Sequence, residues 1–176
     1  MNRNLLQQVN ETSAGQYPFA FILSCMDSRT SAELIFDQGL GDIFSCRIAG
    51  NVLNSDILGS MEFACKITGS NIIVVLGHSK CGAIKGACDG VTIGNLSGLL
   101  HKITPAVEAE VLTKIGRNSG NAAFVENVAK LNVRHVMNQI PVQSKILADL
   151  LKEGKIALIG AMYNVETGLV EFYQNK

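Results

Sequence analysis

The sequence predicts an α/β fold: a mostly parallel central sheet, about four parallel strands plus an antiparallel edge strand, flanked by helices. Three observations carry this. Residues 19–23 and 72–76 are unbroken apolar runs, the pattern of strands buried on both faces. Segments with helical spacing separate the strand candidates, as crossover connections between parallel strands require. The chain closes on two strand candidates, 156–163 and 168–173, joined by a turn at Glu166-Thr167-Gly168 that is short enough for an antiparallel pair.

In chain order, residues 4–12 read as a short helix, polar on one face, and 13–18 as a loop broken by Gly15 and Pro18. Residues 19–24 are the first buried strand. A short helix over 31–36, capped by Ser28 or Thr30, stops at Gly39 and Gly41. Residues 43–48 are the second strand, and Ala49-Gly50-Asn51 is a turn. Helical spacing over 55–68 turns Ile57, Leu58, Met61, Ala64, Cys65 and Ile67 inward, with Gly69 as the C-terminal stop. Residues 71–76 form the third and most apolar strand, and 82–88 a helix that ends at Asp89-Gly90. Residues 96–112 are helical and divided by Pro105. The clearest amphipathic helix covers 121–139, with Phe124, Val125, Val128, Leu131, Val133 and Val136 among polar positions. A further helix covers 141–151, with Pro141 in its first turn. No repeat, low-complexity tract or linker interrupts the chain, so 1–176 reads as a single domain with a short N-terminal arm over 1–15.

Composition narrows the function. Lys+Arg and Asp+Glu both number 15, and this zero net charge argues against a nucleic-acid binder that works by phosphate neutralisation. No apolar stretch approaches a membrane span, and the N-terminus has no signal-peptide core. Five cysteines without a disulfide framework fit a reducing cytoplasm. An apolar fraction of 47% implies either a large core or an apolar face that meets another subunit, and a homo-oligomer is expected.

Two turns carry the chemistry. Ser24-Cys25-Met26-Asp27-Ser28-Arg29 follows the first apolar run, and Gly77-His78-Ser79-Lys80-Cys81-Gly82 follows the third. Ligands of such sheets bind at the C-terminal ends of strands, where both turns lie. Cys25 offers one sulfur, and His78-x-x-Cys81 offers a nitrogen and a sulfur from a single turn; zinc takes both donor types. Asp27 can serve as a fourth ligand, or pair with Arg29 and leave that position to water. Each half-pattern alone is weak to moderate; the two together, at the ends of neighbouring strands, are a strong signal. A buried Cys is more often an inert small hydrophobe, and that reading applies to Cys46, Cys65 and Cys88. A purely structural zinc usually has four closed ligands, which this chain does not supply. His101 and His135 lie in helical segments and read as surface or packing residues.

Cys25-x-Asp27-x-Arg29 followed by His78-x-x-Cys81-Gly82 resembles the β-class carbonic anhydrases. The similarity extends through Gly41-Asp42-Ile43-Phe44, Arg47-Ile48-Ala49-Gly50-Asn51, residues 71–86, and Gly160-Ala161-Met162-Tyr163 with Thr167-Gly168, and so covers about residues 13–173. The resemblance implies a β-carbonic anhydrase-like fold and zinc-dependent, reversible hydration of carbon dioxide to bicarbonate and a proton by a zinc-bound hydroxide. Cys25, His78 and Cys81 would bind one Zn2+ per chain, with Asp27 as an additional ligand in a closed state. Asp27 and Arg29 would be the catalytic dyad, and the Gly82 backbone N–H would hold a substrate oxygen. Gln16, Phe44, Ala49 and Phe63 match substrate-pocket positions. That pocket lies at a dimer interface in the family, so Gln16 would serve the partner's site in a homodimer or dimer-based higher oligomer.

Three departures accompany the resemblance. Phe63 stands where some relatives have Tyr. Ile22 stands where some bacterial members place a Trp in an inhibitory bicarbonate pocket, and Arg47 reads as framework, so that form of regulation is not expected. Relatives usually carry one or two more helices before this point. Two thiolates also cancel the +2 of zinc, which makes the bound water less acidic than the pKa of ~7 at a three-histidine site. Hydrolysis of carbonyl sulfide or carbon disulfide would use the same fold and ligands. A redox sensor would use Cys25 and Cys81 without needing Arg29. A nucleotide binder lacks its G-x-G-x-x-G after the first strand.

Overall fold

Five strands form one sheet in the order β2-β1-β3-β4-β5, with β1 (Ala20–Ser24) and β3 (Ile72–His78) at its centre. β2 (Ile43–Arg47) and β4 (Ala157–Tyr163) flank them in parallel, and β5 (Val170–Phe172) pairs with β4 antiparallel at the edge. The computed structural model describes residues 4–173. Residues 1–3 of the expected N-terminal arm lie outside the described residues. The mostly parallel sheet with one antiparallel edge matches the sequence expectation.

Helices on both faces explain the apolar runs Ala20–Leu23 of β1 and Ile72–Leu76 of β3. All five residues of β1 are buried because both sheet faces are covered. Phe21, Leu23, Ile73 and Val75 enter the larger core, formed with α3 (Ser55–Glu62), α4 (Gly82–Cys88), α5 (Gly94–His101), α6 (Thr104–Ala109), α7 (Ala122–Gln143) and α8 (Lys145–Lys152). Ala20, Ile22, Val74 and Leu76 alternate to a smaller core under α2 (Ala32–Ile35). The remaining helix, α1 (Leu5–Thr12), starts at Asn4, whose side chain accepts from the Gln7 N–H.

Several local expectations are corrected. β3 runs two residues further than the apolar run, so His78 ends the strand and only Ser79-Lys80 turns. Ser31, not Ser28 or Thr30, precedes α2, and the Thr30 hydroxyl instead donates to the Cys25 and Asp27 carbonyls. The helix over 55–68 widens into a π turn at Phe63–Ile67, which carries Ile67 out to 72% exposure. Pro141 does not open a helix but lies within α7. It removes one hydrogen bond only two residues before that helix ends, and the Ser144 hydroxyl then caps α8 by accepting from the Leu147 N–H.

α7 crosses the sheet at very close range. A Cβ on Gly77 would stand 2.6 Å from Val133 Cγ2 and 2.7 Å from Met162 Sδ. On Gly160 it would meet Met137 Sδ and, at 2.7 Å, Tyr173 Cδ2. Two strand glycines therefore set the depth of this helix. Gly77→Ala or Gly160→Ala should destabilise the protein by about 1–3 kcal/mol through overpacking. The denaturant midpoint measures this, and an unchanged midpoint for both variants would contradict the close fit.

Candidate metal centre

Three side chains meet where β1 and β3 end. Cys25 directly follows β1, His78 closes β3, and Cys81 caps the start of α4. All three are buried, and their ligand atoms lie within 4.8 Å of one another. The Cys25 and Cys81 sulfurs are 3.8 Å apart. Two thiolates at about 2.3 Å from one tetrahedral zinc would lie about 3.8 Å apart, so the sulfur pair fits that ion. His78 Nδ1 is 2.9 Å from the Ser79 carbonyl, which assigns the ring proton to Nδ1 and the lone pair to Nε2. That Nε2 is buried and has no hydrogen-bond partner among the described residues. A buried nitrogen aimed at two sulfurs without a proton partner is the donor that a metal completes.

Backbone N–H groups prepare the sulfurs for negative charge. Cys25 receives the N–H of Gly50 at 3.4 Å and that of Asp27; Cys81 faces those of Ala83 and Ile84 at the start of α4. The Cys81 thiol beside it pulls the Cys25 pKa down, with the two backbone N–H groups adding to this against burial. The same contact and burial push Cys81 up. The pair thus loses one proton readily and retains the second until a cation arrives.

Asp27 lies beside this set. Its Oδ2 is 3.9 Å from His78 Nε2. Arg29 grips both carboxylate oxygens, Nε on Oδ1 at 2.8 Å and Nη2 on Oδ2 at 2.7 Å, and its backbone N–H adds a 3.0 Å bond to Oδ1. These hydrogen bonds hold the Asp27 carboxyl well below the usual carboxylate range. Of the two arrangements open to Asp27, the structure has the one paired with Arg29. Arg47 fixes the loop from the other side, donating to the Cys25 carbonyl at 3.1 Å and to the Asp27 carbonyl.

The remaining expected residues fall in three places. Ala49 lies in the short turn Ala49–Asn51 whose Gly50 touches Cys25, and Gly82 follows Cys81 at the first turn of α4. Phe44 and Phe63 meet edge-on, centroids 6.3 Å apart, in a cleft of about 630 Å³ beside β2 that Cys46 also lines. Gln16 precedes β1 and lines a cleft with Thr12, Gly41 and Asp42, at the end of the sheet opposite Cys25. One chain therefore does not bring Gln16 to the Cys-His-Cys group. Sequence reasoning missed Asn132, a fully buried amide on the apolar stripe of α7 whose Nδ2 donates to the Gly50 carbonyl at 2.8 Å. Its signal was there to find: a polar residue where helical spacing from Val125, Val128 and Ala129 calls for an apolar one.

Fold and site together define an α/β protein with a metal-capable Cys-His-Cys centre and an adjacent Asp-Arg pair. The carbonic anhydrase family profile matches residues 20–170. Carbonic anhydrase 2 of Mycobacterium tuberculosis is 38% identical over 160 residues, covering 89% of this chain and 74% of the relative. The β-carbonic anhydrase CafA of Aspergillus fumigatus superposes with a TM-score of 0.85 at 24% identity, covering 96% of this chain and 81% of that one. A tetrameric β-carbonic anhydrase from Sordaria macrospora gives 0.79 at 22% identity, covering 94% and 85%. The chain belongs to the β-class carbonic anhydrases, a family of lyases. No helix among the described residues is long and apolar enough to cross a membrane.

Burial raises the Cys65 and Cys88 thiols to about 11. At about pH 8, below those values, both stay protonated and poorly nucleophilic. Alkylation of the metal-free protein followed by peptide mapping should label Cys25 ahead of Cys65 and Cys88. Equal labelling of all three would contradict the charge pattern of the site.

Proposed function

We propose that this chain interconverts carbon dioxide with bicarbonate and a proton, with one zinc ion held by Cys25, His78 and Cys81. The observation that carries this reading is the Arg29 grip on Asp27, which keeps a charged carboxylate next to the three donors without spending it as a fourth. When bound, zinc supplies a water made acidic enough to act as a nucleophile. Asp27, whose Oδ2 is 3.9 Å from His78 Nε2, would accept a hydrogen bond from the nucleophilic oxygen and so orient it. Arg29 occupies both carboxylate oxygens, so it fixes that orientation and keeps Asp27 ionised. The Nδ1 bond to the Ser79 carbonyl locks the His78 ring. The Gly82 N–H, at the first turn of α4, holds a substrate oxygen.

Phe44, Ala49 and Phe63 belong to the apolar approach for carbon dioxide in this reading. Gln16 acts in the partner's site of a homodimer or dimer-based oligomer. Its position at the far end of the sheet and the tetrameric relative support that assembly. Asp27 becomes a fourth ligand only when it leaves Arg29. Free thiols at all five cysteines support a reducing, cytoplasmic setting.

Stopped-flow hydration of carbon dioxide tests the proposal. The holoenzyme should be active, and zinc chelation should abolish turnover. Asp27→Asn should retain zinc and lose activity by about 10²-fold or more, as expected for a proton-handling group; full activity would sink the role of Asp27. The rate should rise between about pH 6 and 9, because two thiolates leave the ion with less net charge than three imidazoles do. Asp27 is ionised across this whole range, since its carboxyl titrates below the ordinary value, so it does not cause the rise. A flat profile would count against the two-thiolate ligand set.

A further inference from the structure

We propose that Asn132 is a positioning residue for the metal centre. By holding the Gly50 carbonyl it fixes the backbone torsions of Gly50 that aim the Gly50 N–H at the Cys25 sulfur, and thereby limits how much charge that sulfur gives to the metal. The inference rests on the reading of Cys25 as a zinc ligand.

Four observations support it. First, Asn132 has no solvent exposure and sits mid-helix on the stripe that α7 turns to the core. An amide there costs stability unless it is paired, and only half of it is: Nδ2 donates to the Gly50 carbonyl at 2.8 Å, while Oδ1 has no partner. Packing alone favours an apolar side chain at this position. Second, the same Gly50 residue points its N–H at the Cys25 Sγ, 3.4 Å away. One side chain from residue 132 thus holds residue 50, which contacts residue 25.

Third, Gly50 sits in a tight, buried turn that the Asn51 N–H closes onto the Ile48 carbonyl at 2.9 Å. Its φ is +67°, and a Cβ there would stand 2.7 Å from Ile103 Cδ1. Glycine is required for this turn, and the Asn132 bond adds a hold on its carbonyl from α7. Neighbouring Asn51 is also left-handed, at φ +43°, so the turn is doubly constrained. Fourth, α7 reaches this depth only because Gly77 and Gly160 leave room for Val133, the residue next to Asn132. Close helix–sheet packing and the placement of Asn132 are one feature.

Hydrogen bonds to a thiolate withdraw charge from sulfur and weaken its donation, and groups outside the ligand set commonly alter metal affinity in this way. The remaining contacts of Cys25 cannot replace this one. The Asp27 N–H belongs to the loop that Arg29 and Arg47 hold, whereas Gly50 is held from α7.

The test uses the full-length metalloprotein. In the cadmium-113 form, the Gly50 amide proton should show scalar coupling to the metal through the N–H···S bond. The Asn132 side-chain nitrogen should couple to the Gly50 carbonyl carbon. Both are read on the wild-type chain and need no variant to fold. In Asn132→Leu and Asn132→Ala, the sulfur-to-metal charge-transfer band of the cobalt(II) form should move to lower energy. Val136→Ala, one turn along the same buried stripe, controls for general loosening of α7 and should leave the band in place.

Absence of either coupling in the loaded wild-type protein overturns the proposal. So does an unshifted band in both Asn132 variants, or the same shift in Val136→Ala, which would make Asn132 a packing residue only. A wild-type chain that takes up neither zinc nor cadmium overturns the zinc reading and this inference with it. A loaded chain without coupling overturns this inference alone.

Discussion

Parallel pairing of β1 with β3 is the constraint on which the site depends. In their register Ser24 lies opposite Leu76, so Cys25 leaves the sheet where β3 is about to deliver His78. Two further residues turn the chain into α4 and return Cys81 to within 3.8 Å of Cys25. The donors come from positions 25, 78 and 81, yet no long loop is needed to gather them. A slip of one residue in β1 would send Phe21, Leu23 and Cys25 to the opposite face. Burial of Phe21 and Leu23 in the larger core therefore also enforces the placement of the Cys-His-Cys group, and fold stability and site geometry are not separate requirements here.

Charge is the second problem, because two sulfurs destined to be anionic are buried among apolar side chains. Leaving such charges unpaired would be costly. Besides the Cys81 thiol beside Cys25, the fold answers with backbone donors: Gly50 and Asp27 for Cys25, Ala83 and Ile84 for Cys81. Peptide N–H groups stabilise the anions without adding mobile cations that would compete with the metal. Unusual backbone accompanies them: Gly50, which offers one of these N–H groups, and Lys80, in the two-residue turn just before Cys81, both have positive φ. The Lys80 ammonium points away from the sulfurs to an ion pair with Glu166 at 2.7 Å, which joins the second turn to the β4–β5 connection.

Much of this was legible in the sequence, for a physical reason. A strand buried on both faces must be apolar throughout, so the ends of residues 19–23 and 72–76 marked where chemistry could begin, and short-range spacing placed the donors within each turn. The same local logic located the stop at Gly69 and the break at Pro105. It failed where tertiary contacts decide. Pro141 reads as a helix start, but it sits inside α7 because the loss of one late hydrogen bond is small beside the packing of Val136 and Ile140. Ile67 reads as inward until the π turn rotates it out. Ser31 replaces Thr30 before α2 because the Thr30 hydroxyl is already committed to the Cys25 and Asp27 carbonyls. Asn132 was invisible as a functional residue because its partner, Gly50, is 82 positions away, and no periodicity reports a contact across that separation.

Fixed and movable parts of the centre are built from different materials. Cys25, His78 and Cys81 are held by strand register, a helix start and backbone hydrogen bonds, all inside the core. Asp27 is held by Arg29, whose side chain is 51% exposed, and by one local N–H. A partly solvated ion pair is a weak clamp, and water can replace either partner. Carboxylate rotation therefore needs no rearrangement of strands or helices, only the exchange of Arg29 for another cation. The bidentate grip makes the paired arrangement the resting one, while exposure keeps the cost of leaving it modest. Arg47 bounds the motion: it pins the carbonyls of Cys25 and Asp27, so the Asp27 side chain can turn while its backbone stays beside Cys25. The site thus confines its freedom to one carboxylate, the group that in the proposed function decides whether a fourth position beside the two sulfurs and the imidazole is open.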